Sequence, residues 1–175
     1  MYKYCPQCKT KLVKKNLHTS DPVRLCCPRC GYVQYNNPAP TVTGLFKKDN
    51  KYLFSQRAIE PLKNYWDFPG GFIESFEPPK KALKREMKEE LTVAITKADF
   101  FGVYIDKYFY NEKDQSTLNL YYLVKYQGHL KPKDDVKAIE WFTLDNLPEK
   151  IAFKHIYQVI KDLKKYESKT IKKNN

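Results

Sequence analysis

The stretch Gly70–Val93, GGFIESFEPPKKALKREMKEELTV, decides how the rest of the chain is read. Its first half is a glycine-containing turn. Its second half is a helix, because Pro78 and Pro79 suit a helix N-terminus, where proline's missing N–H loses no bond. Leu83, Met87 and Leu91 recur at i, i+4 and i+8 and make one apolar face. Glu86 and Glu90 share an adjacent face, Glu89 lies three residues from Glu86, and Glu77 sits in the turn before the helix. Like charges at i, i+4 oppose a helix by about 0.2–0.5 kcal/mol per pair. The carboxylate cluster is therefore costly unless a cation neutralises it, and an oxygen-rich site of this kind suits Mg2+ or Mn2+.

A chain of 175 residues holds one ordinary domain, or one domain with a small appendage. Its 42% hydrophobic and 15% aromatic content is enough for a packed core. It contains no apolar run long enough for a membrane span, and MYKYCPQCKT is no signal peptide, so the expectation is a cytoplasmic protein with no membrane partner. The net charge of +12 invites a nucleic-acid partner. That partner is not favoured, because lysine outnumbers arginine 28 to 4 and the lysines are spread along the chain. Arginine is the better residue for bidentate phosphate and base contacts.

Cys5-Pro6-Gln7-Cys8 and Cys27-Pro28-Arg29-Cys30 are two C-x2-C knuckles separated by 18 residues. The pattern fits a tetrahedral zinc site of four cysteines, Cys5, Cys8, Cys27 and Cys30, in preference to disulfides. With no open coordination position the zinc is structural, and a module this small gains its folding free energy from metal. Cys26 is left over as a free thiol, or as a substitute ligand for Cys27. The expected boundaries are a zinc ribbon over 1–35, a linker over 36–40, a main domain over 41–166 and a disordered basic tail over 167–175.

Within the main domain, Thr41–Lys47 and Lys51–Gln56 read as a hairpin around Asp49-Asn50. Further strands are expected at Val93–Ile95, Phe100–Ile105, Ser116–Tyr126 and Ile139–Phe142, and a helix at Phe153–Tyr166. Asp106–Gln115 reads as a polar loop whose Tyr108, Phe109 and Tyr110 are suited to stacking on a base, with apolar cover of a hairpin as the plainer alternative.

Gly71, five residues, Glu77, seven residues, then Arg85-Glu86-Met87-Lys88-Glu89-Glu90-Leu91-Thr92-Val93 resembles the Nudix box, G-x5-E-x7-R-E-U-x-E-E-x-G-U with U aliphatic. Only the last glycine differs, replaced here by Thr92. A solvated Glu/Lys helix packed by Leu83 and Met87 would not explain why Gly71, Glu77 and Arg85 stand at these offsets. The resemblance implies an α/β fold: a Nudix-type α/β/α sandwich with a mixed sheet, behind a small zinc ribbon. It also implies hydrolysis of a pyrophosphate joining a nucleoside diphosphate to a second group, such as ADP-ribose or FAD.

Pyrophosphate is anionic, so catalysis must neutralise its non-bridging oxygens, which Mg2+ or Mn2+ does. By resemblance Glu86 and Glu90 are ligands, with the Gly71 carbonyl. Glu89 is a ligand or the base. Glu77 is a ligand through water or the partner of Arg85, which orients the cluster. Asp135 is the candidate general base, with Asp134 and Glu140 competing. Arg57 and Trp66 occupy positions that line the substrate cleft in Nudix proteins, with a surface ion pair and core packing as their respective alternatives, and Tyr108 joins them as a base-stacking candidate.

The S-Q-P-W-P-F-P-x-S stretch of NADH pyrophosphatases is not found after Val93. The run Cys27–Pro40 resembles instead a branch that includes FAD and ADP-ribose hydrolases. The resemblance admits a homodimer, for which no dimer-specific pattern is present. A nucleotide-sensing or RNA-binding module, or an RNA decapping enzyme, are the competing functions. Thr92, β-branched, is expected to end the helix without the left-handed residue that glycine provides. Phe76 stands where a glycine is frequent and is expected to reshape the cleft mouth.

Overall fold

Alternation along the central strands sorts the apolar side chains of residues 38–174 onto the two faces of one sheet. The computed structural model describes residues 2–110 and 113–174. The chain forms two units, Met1–Asn37 and Pro38–Asn175.

The first unit carries β1 (Val13–Lys15), β2 (Arg24–Cys26) and β3 (Val33–Gln34) as a small antiparallel sheet in the order β1-β2-β3. Its two knuckles are built alike. Cys5 N–H donates to Thr10 O at 2.8 Å and Cys27 N–H to Tyr32 O at 2.7 Å. The residue after each second cysteine, Lys9 and Gly31, is left-handed, with φ of 59° and 75°. Cys5, Leu12 and Cys27 are its only buried cluster among the described residues, a core too small to hold a fold by itself. The four sulfurs of Cys5, Cys8, Cys27 and Cys30 converge instead, all within 4.8 Å of one another, and no disulfide joins them.

The second unit begins with β4 (Ala39–Lys48), β5 (Lys51–Arg57), β6 (Trp66–Asp67), β7 (Gly70–Phe72) and α1 (Pro79–Leu91). It continues with β8 (Ala94–Tyr110), β9 (Lys113–Gln127), β10 (Val136–Thr143) and α2 (His155–Asn174). The sheet runs β10-β5-β4-β9-β8, with β6 on β5 and β7 on β4. It is mixed, because β4 and β9 are parallel while the other pairs are antiparallel. Val42, Phe46, Leu53 and Tyr122 face α1, where Leu83, Met87 and Leu91 are fully buried. Leu45, Tyr52, Phe54 and Tyr121 face α2, against Ile156, Val159, Ile160 and Leu163. The result is helix on sheet on helix.

β4 is shared along its length. Its N-terminal half pairs with β7 (Val42 with Gly71, Thr43 with Gly70), and its C-terminal end pairs with β5 (Lys47 with Tyr52). This division brings the strand carrying the two glycines beside α1.

Three expectations change. Thr92 does take the left-handed conformation, with φ 62° and ψ 19°, and ends α1 there. The cost of its β-branch is offset because its Oγ1 donates to His129 O at 3.2 Å, while its N–H and that of Val93 bond Lys88 O and Met87 O. Within Asp106–Gln115 the described residues are strand and not loop, the hairpin alternative for this stretch, since β8 runs to Tyr110 and pairs with β9 from Lys113; residues 111–112 and the side chains of Phe109 and Tyr110 lie outside the described residues. The tail expected over 167–175 continues as helix to Asn174. Polarity misled there: Glu167 accepts hydrogen bonds from Lys47 Nζ and from the hydroxyl of the buried Tyr52, which needs a partner.

Candidate active site

Two carboxylates of α1 meet the backbone of β7. Gly70 N–H donates to Glu90 Oε2 at 2.9 Å, although Glu90 is only 6% exposed. Glu86 presses on Gly71, where an added Cβ would lie 2.4 Å from the Glu86 carboxyl carbon. A side chain at position 71 would therefore push the carboxylate aside. Gly70 is equally confined, since a Cβ there would lie 2.1 Å from Val42 O.

Arg85 organises the exposed side of the same helix. Its Nε and Nη2 hold the two oxygens of Glu77 at 3.0 and 2.8 Å. Its Nη1 reaches Glu86 at 2.7 Å and Glu89 at 3.0 Å, and its Nη2 donates to Phe72 O at 3.0 Å. Glu77 is thus the bidentate partner of Arg85. That pairing holds its carboxyl below the usual range.

Asp135 reaches α1 through the helix terminus. The loop after β9 bonds the last helix carbonyls, Lys131 N–H to Leu91 O at 3.0 Å and Lys133 N–H to Glu90 O at 2.8 Å. These bonds satisfy acceptors that every helix end leaves open. Ala58 N–H then anchors Asp135 O at 2.7 Å. The loop is thus tied to α1 and to the residue that follows β5, and Asp135 lines the cleft with Gly70 and Gly71. Asp134 and Glu140 are exposed and do not line it.

Asp67 is a fourth acid in this group, absent from the sequence-based candidates. Desolvation pushes it up to about 6, with Asp135 adding and His155 and Arg57 opposing. Desolvation, then Asp135 and Asp67, likewise raise Glu90, along with Glu86. Glu86 is raised by desolvation and by Glu89 and Asp135, against Arg85. The shared cause is excess negative charge in a poorly hydrated place. An all-oxygen donor set with surplus negative charge fits a hard divalent cation. The sulfur cluster fits a different metal. Three of its Sγ–Sγ separations, Cys5–Cys30, Cys8–Cys27 and Cys8–Cys30, are 3.4 to 3.6 Å, close to the edge of about 3.8 Å for a tetrahedron with Zn–S near 2.3 Å.

The adjoining cleft, about 240 Å3, has one aromatic and one polar wall. Tyr108 lies edge-on to Phe72 at 5.7 Å and tilted over Phe153 at 5.7 Å. The Arg57 guanidinium sits 5.6 Å from the Phe153 ring and donates from Nε to Pro61 O at 2.8 Å. The polar wall is Thr41, Asn119 and Thr117, joined by hydrogen bonds of 2.8 and 3.0 Å. At its end Asp106 accepts from His155 N–H and lies 2.8 Å from His155 Nδ1, whose Nε2 is 2.7 Å from the Tyr121 hydroxyl. Arg57 and Tyr108 line this cleft; Trp66 does not. Its ring packs against Phe142 at 5.3 Å in the core beneath α2, the packing alternative weighed for it. Strand alternation could have suggested the exchange, since neighbours in β6 face opposite ways and Asp67 takes the cleft side. His155 and Asp106 carry no local signal, being 49 residues apart.

The chain belongs to the Nudix family, whose domain description, "NUDIX domain", matches residues 36–163. A second description, "Nudix N-terminal", a zinc ribbon, matches residues 3–36. An "ADP-ribose pyrophosphatase" of Methanocaldococcus jannaschii is 36% identical over 140 residues, covering 78% of this chain and 79% of that protein. A "NAD-capped RNA hydrolase NudC" of Pseudomonas aeruginosa is 26% identical over 164 residues, and the alignment spans 92% of this chain but only 55% of that relative's length. A solved NUDIX hydrolase from Nitrosomonas europaea superposes with a TM-score of 0.64 at 25% identity, covering 94% of this chain and 90% of that one. The chain is thus a hydrolase of the Nudix fold, with a ribbon in front. No helix among the described residues is long and apolar enough to cross a membrane.

Gly71→Ala tests the closeness of β7 to Glu86. The obstructed group is the end of a flexible side chain, so the thermal midpoint should hold, while hydrolysis should fall by about 10–100-fold, the usual cost of disturbing a metal-orienting group, were Glu86 to hold a cation. Wild-type turnover in this variant would contradict the assignment.

Proposed function

We propose that this chain hydrolyses the pyrophosphate of a nucleoside diphosphate linked to a second group, with ADP-ribose as first substrate, in the presence of Mg2+ or Mn2+. The observation that carries this reading is the crowding of Asp67, Glu86, Glu90 and Asp135 beside a cleft with an aromatic wall. The similarity to the M. jannaschii enzyme supports the choice of ADP-ribose. Glu86, Glu90, Glu89 and the Gly71 carbonyl would hold the cation. Charge neutralisation at the non-bridging phosphate oxygens is what such a cation supplies when bound.

The chain's own residues do the remainder. Arg85 fixes Glu77 and keeps the helix carboxylates aligned. Asp135 accepts the proton of the water that attacks phosphorus, a role its place in the cleft favours over Asp134 and Glu140. The bridging oxygen leaves with its electron pair, so ADP-ribose yields AMP and ribose 5-phosphate. Arg57 offsets phosphate charge, and Phe72, Tyr108 and Phe153 cover the base. FAD is a further candidate of the same bond type. Removal of a nucleotide cap from RNA is a second reading, motivated by the relative named for that reaction. The ribbon would hold one structural Zn2+ on Cys5, Cys8, Cys27 and Cys30.

Purified protein with Mg2+ and a panel of ADP-ribose, FAD, NADH and a capped oligonucleotide decides among these. AMP should be released from ADP-ribose. Asp135→Asn should lower the rate by about 10^2–10^4-fold, and Asp134→Asn should leave it unchanged. No turnover of any compound, with wild type and Glu89→Gln equally inactive, would overturn the reading. Metal analysis tests the ribbon: Cys8→Ser should lose the zinc that wild type retains through dialysis, and unchanged zinc content would refute the four-cysteine site.

A further inference from the structure

The ribbon carries more charge than its size explains. Residues 1–37 hold five lysines and two arginines against a single acid, Asp21, so about half of the net charge of +12 lies in this small unit. Lys3, Lys9, Lys11, Lys14, Lys15 and Arg29 are all exposed. Large rings are exposed among them: Tyr2 at 59%, Tyr4 at 53% and Tyr35 at 55%. A structural zinc module needs none of these rings at its surface.

A cavity of about 360 Å3 lies in the same unit, lined by Lys14, Val23, Arg24, Leu25, Gln34 and Asn36. Two of its polar atoms, Arg24 Nε and Gln34 Oε1, are buried and have no hydrogen-bond partner. They are the only buried side-chain nitrogen or oxygen atoms in that condition among the described residues. One is a donor and the other an acceptor. A buried polar atom left without a partner is destabilising. The rest of both side chains is fixed: the Arg24 guanidinium lies 4.6 Å from the Tyr35 ring, and Gln34 Nε2 donates to Asn36 Oδ1 at 3.4 Å.

We propose that this face of the ribbon binds single-stranded RNA. Exposed lysines answer the phosphates, and Tyr35, backed by Arg24, offers a face on which a base stacks. The orphan donor and acceptor call for a group that both donates and accepts. A ribose 2′-hydroxyl does both, and DNA lacks it. A duplex would hide its base faces from Tyr35. The inference is independent of the hydrolase reading, because none of these residues belongs to the cleft.

Fluorescence anisotropy of the full-length protein with a labelled single-stranded RNA of about 20 nucleotides, long enough to cover several sites, tests it. Tyr35→Leu should weaken binding about five- to a hundredfold, the range for loss of one stacked base, while Tyr35→Phe should bind as wild type. Gln34→Leu should narrow the preference for RNA over DNA of the same sequence. Lys14→Ala should reduce the salt dependence by about one unit of slope. All four variants should keep wild-type zinc content and wild-type hydrolysis of ADP-ribose. Equal affinity for RNA, DNA and duplex in the wild type would overturn the proposal. RNA affinity unaltered by Tyr35→Leu and Gln34→Leu in zinc-loaded protein would overturn it as well.

Discussion

The Glu90 carboxylate, 6% exposed and bonded to Gly70 N–H, is the constraint on which the catalytic unit turns. A buried acid is tolerated only when something satisfies its charge. One backbone N–H at 2.9 Å answers part of that demand. Asp135, Glu86 and Asp67 stand near enough to raise Glu90 further, so its neighbours oppose its charge. Arg85 does not relieve it, being committed to Glu77, Glu86, Glu89 and the Phe72 carbonyl. Around the buried acids the fold thus gathers carboxyls whose ionised forms Arg57, His155 and Arg85 compensate only in part, beside the cleft.

The geometry around that constraint follows from ordinary backbone requirements. β4 pairs with β7 along one half, which sets two glycines under α1. The end of α1 leaves carbonyls open, and the loop that bonds them also carries Asp135. Asp106 accepts the N–H of His155 at the start of α2 and fixes the ring of the same histidine at the end of the polar wall. In each case a structural need of a strand or helix end brings a residue to the cleft.

Legibility in the sequence tracks how local each feature is. The apolar face of α1 and the spacing of its acids were readable because a helix repeats every few residues and the box spans one turn and one helix. The four cysteines were readable because metal geometry imposes short paired spacings. Thr92 was misjudged because propensity alone ignores its hydroxyl bond to His129 O, 37 residues away. The end of α2 was misjudged because Glu167 looks like solvent-facing polarity until its bond with Tyr52, 115 residues distant, is seen. Asp67 and the Asp106–His155–Tyr121 series depend on which strands become neighbours, which no short window of residues encodes.

The central claim is that surplus carboxylate charge at Glu90 creates the need for a cation. Thermal unfolding of the wild type and of Glu90→Gln, each with and without Mn2+, tests it most directly, because glutamine keeps an oxygen for Gly70 N–H while removing the charge. The account predicts that Mn2+ raises the wild-type midpoint and that Glu90→Gln neither loses stability without metal nor gains any from it. An equal rise in both proteins, or no rise in the wild type, would contradict it.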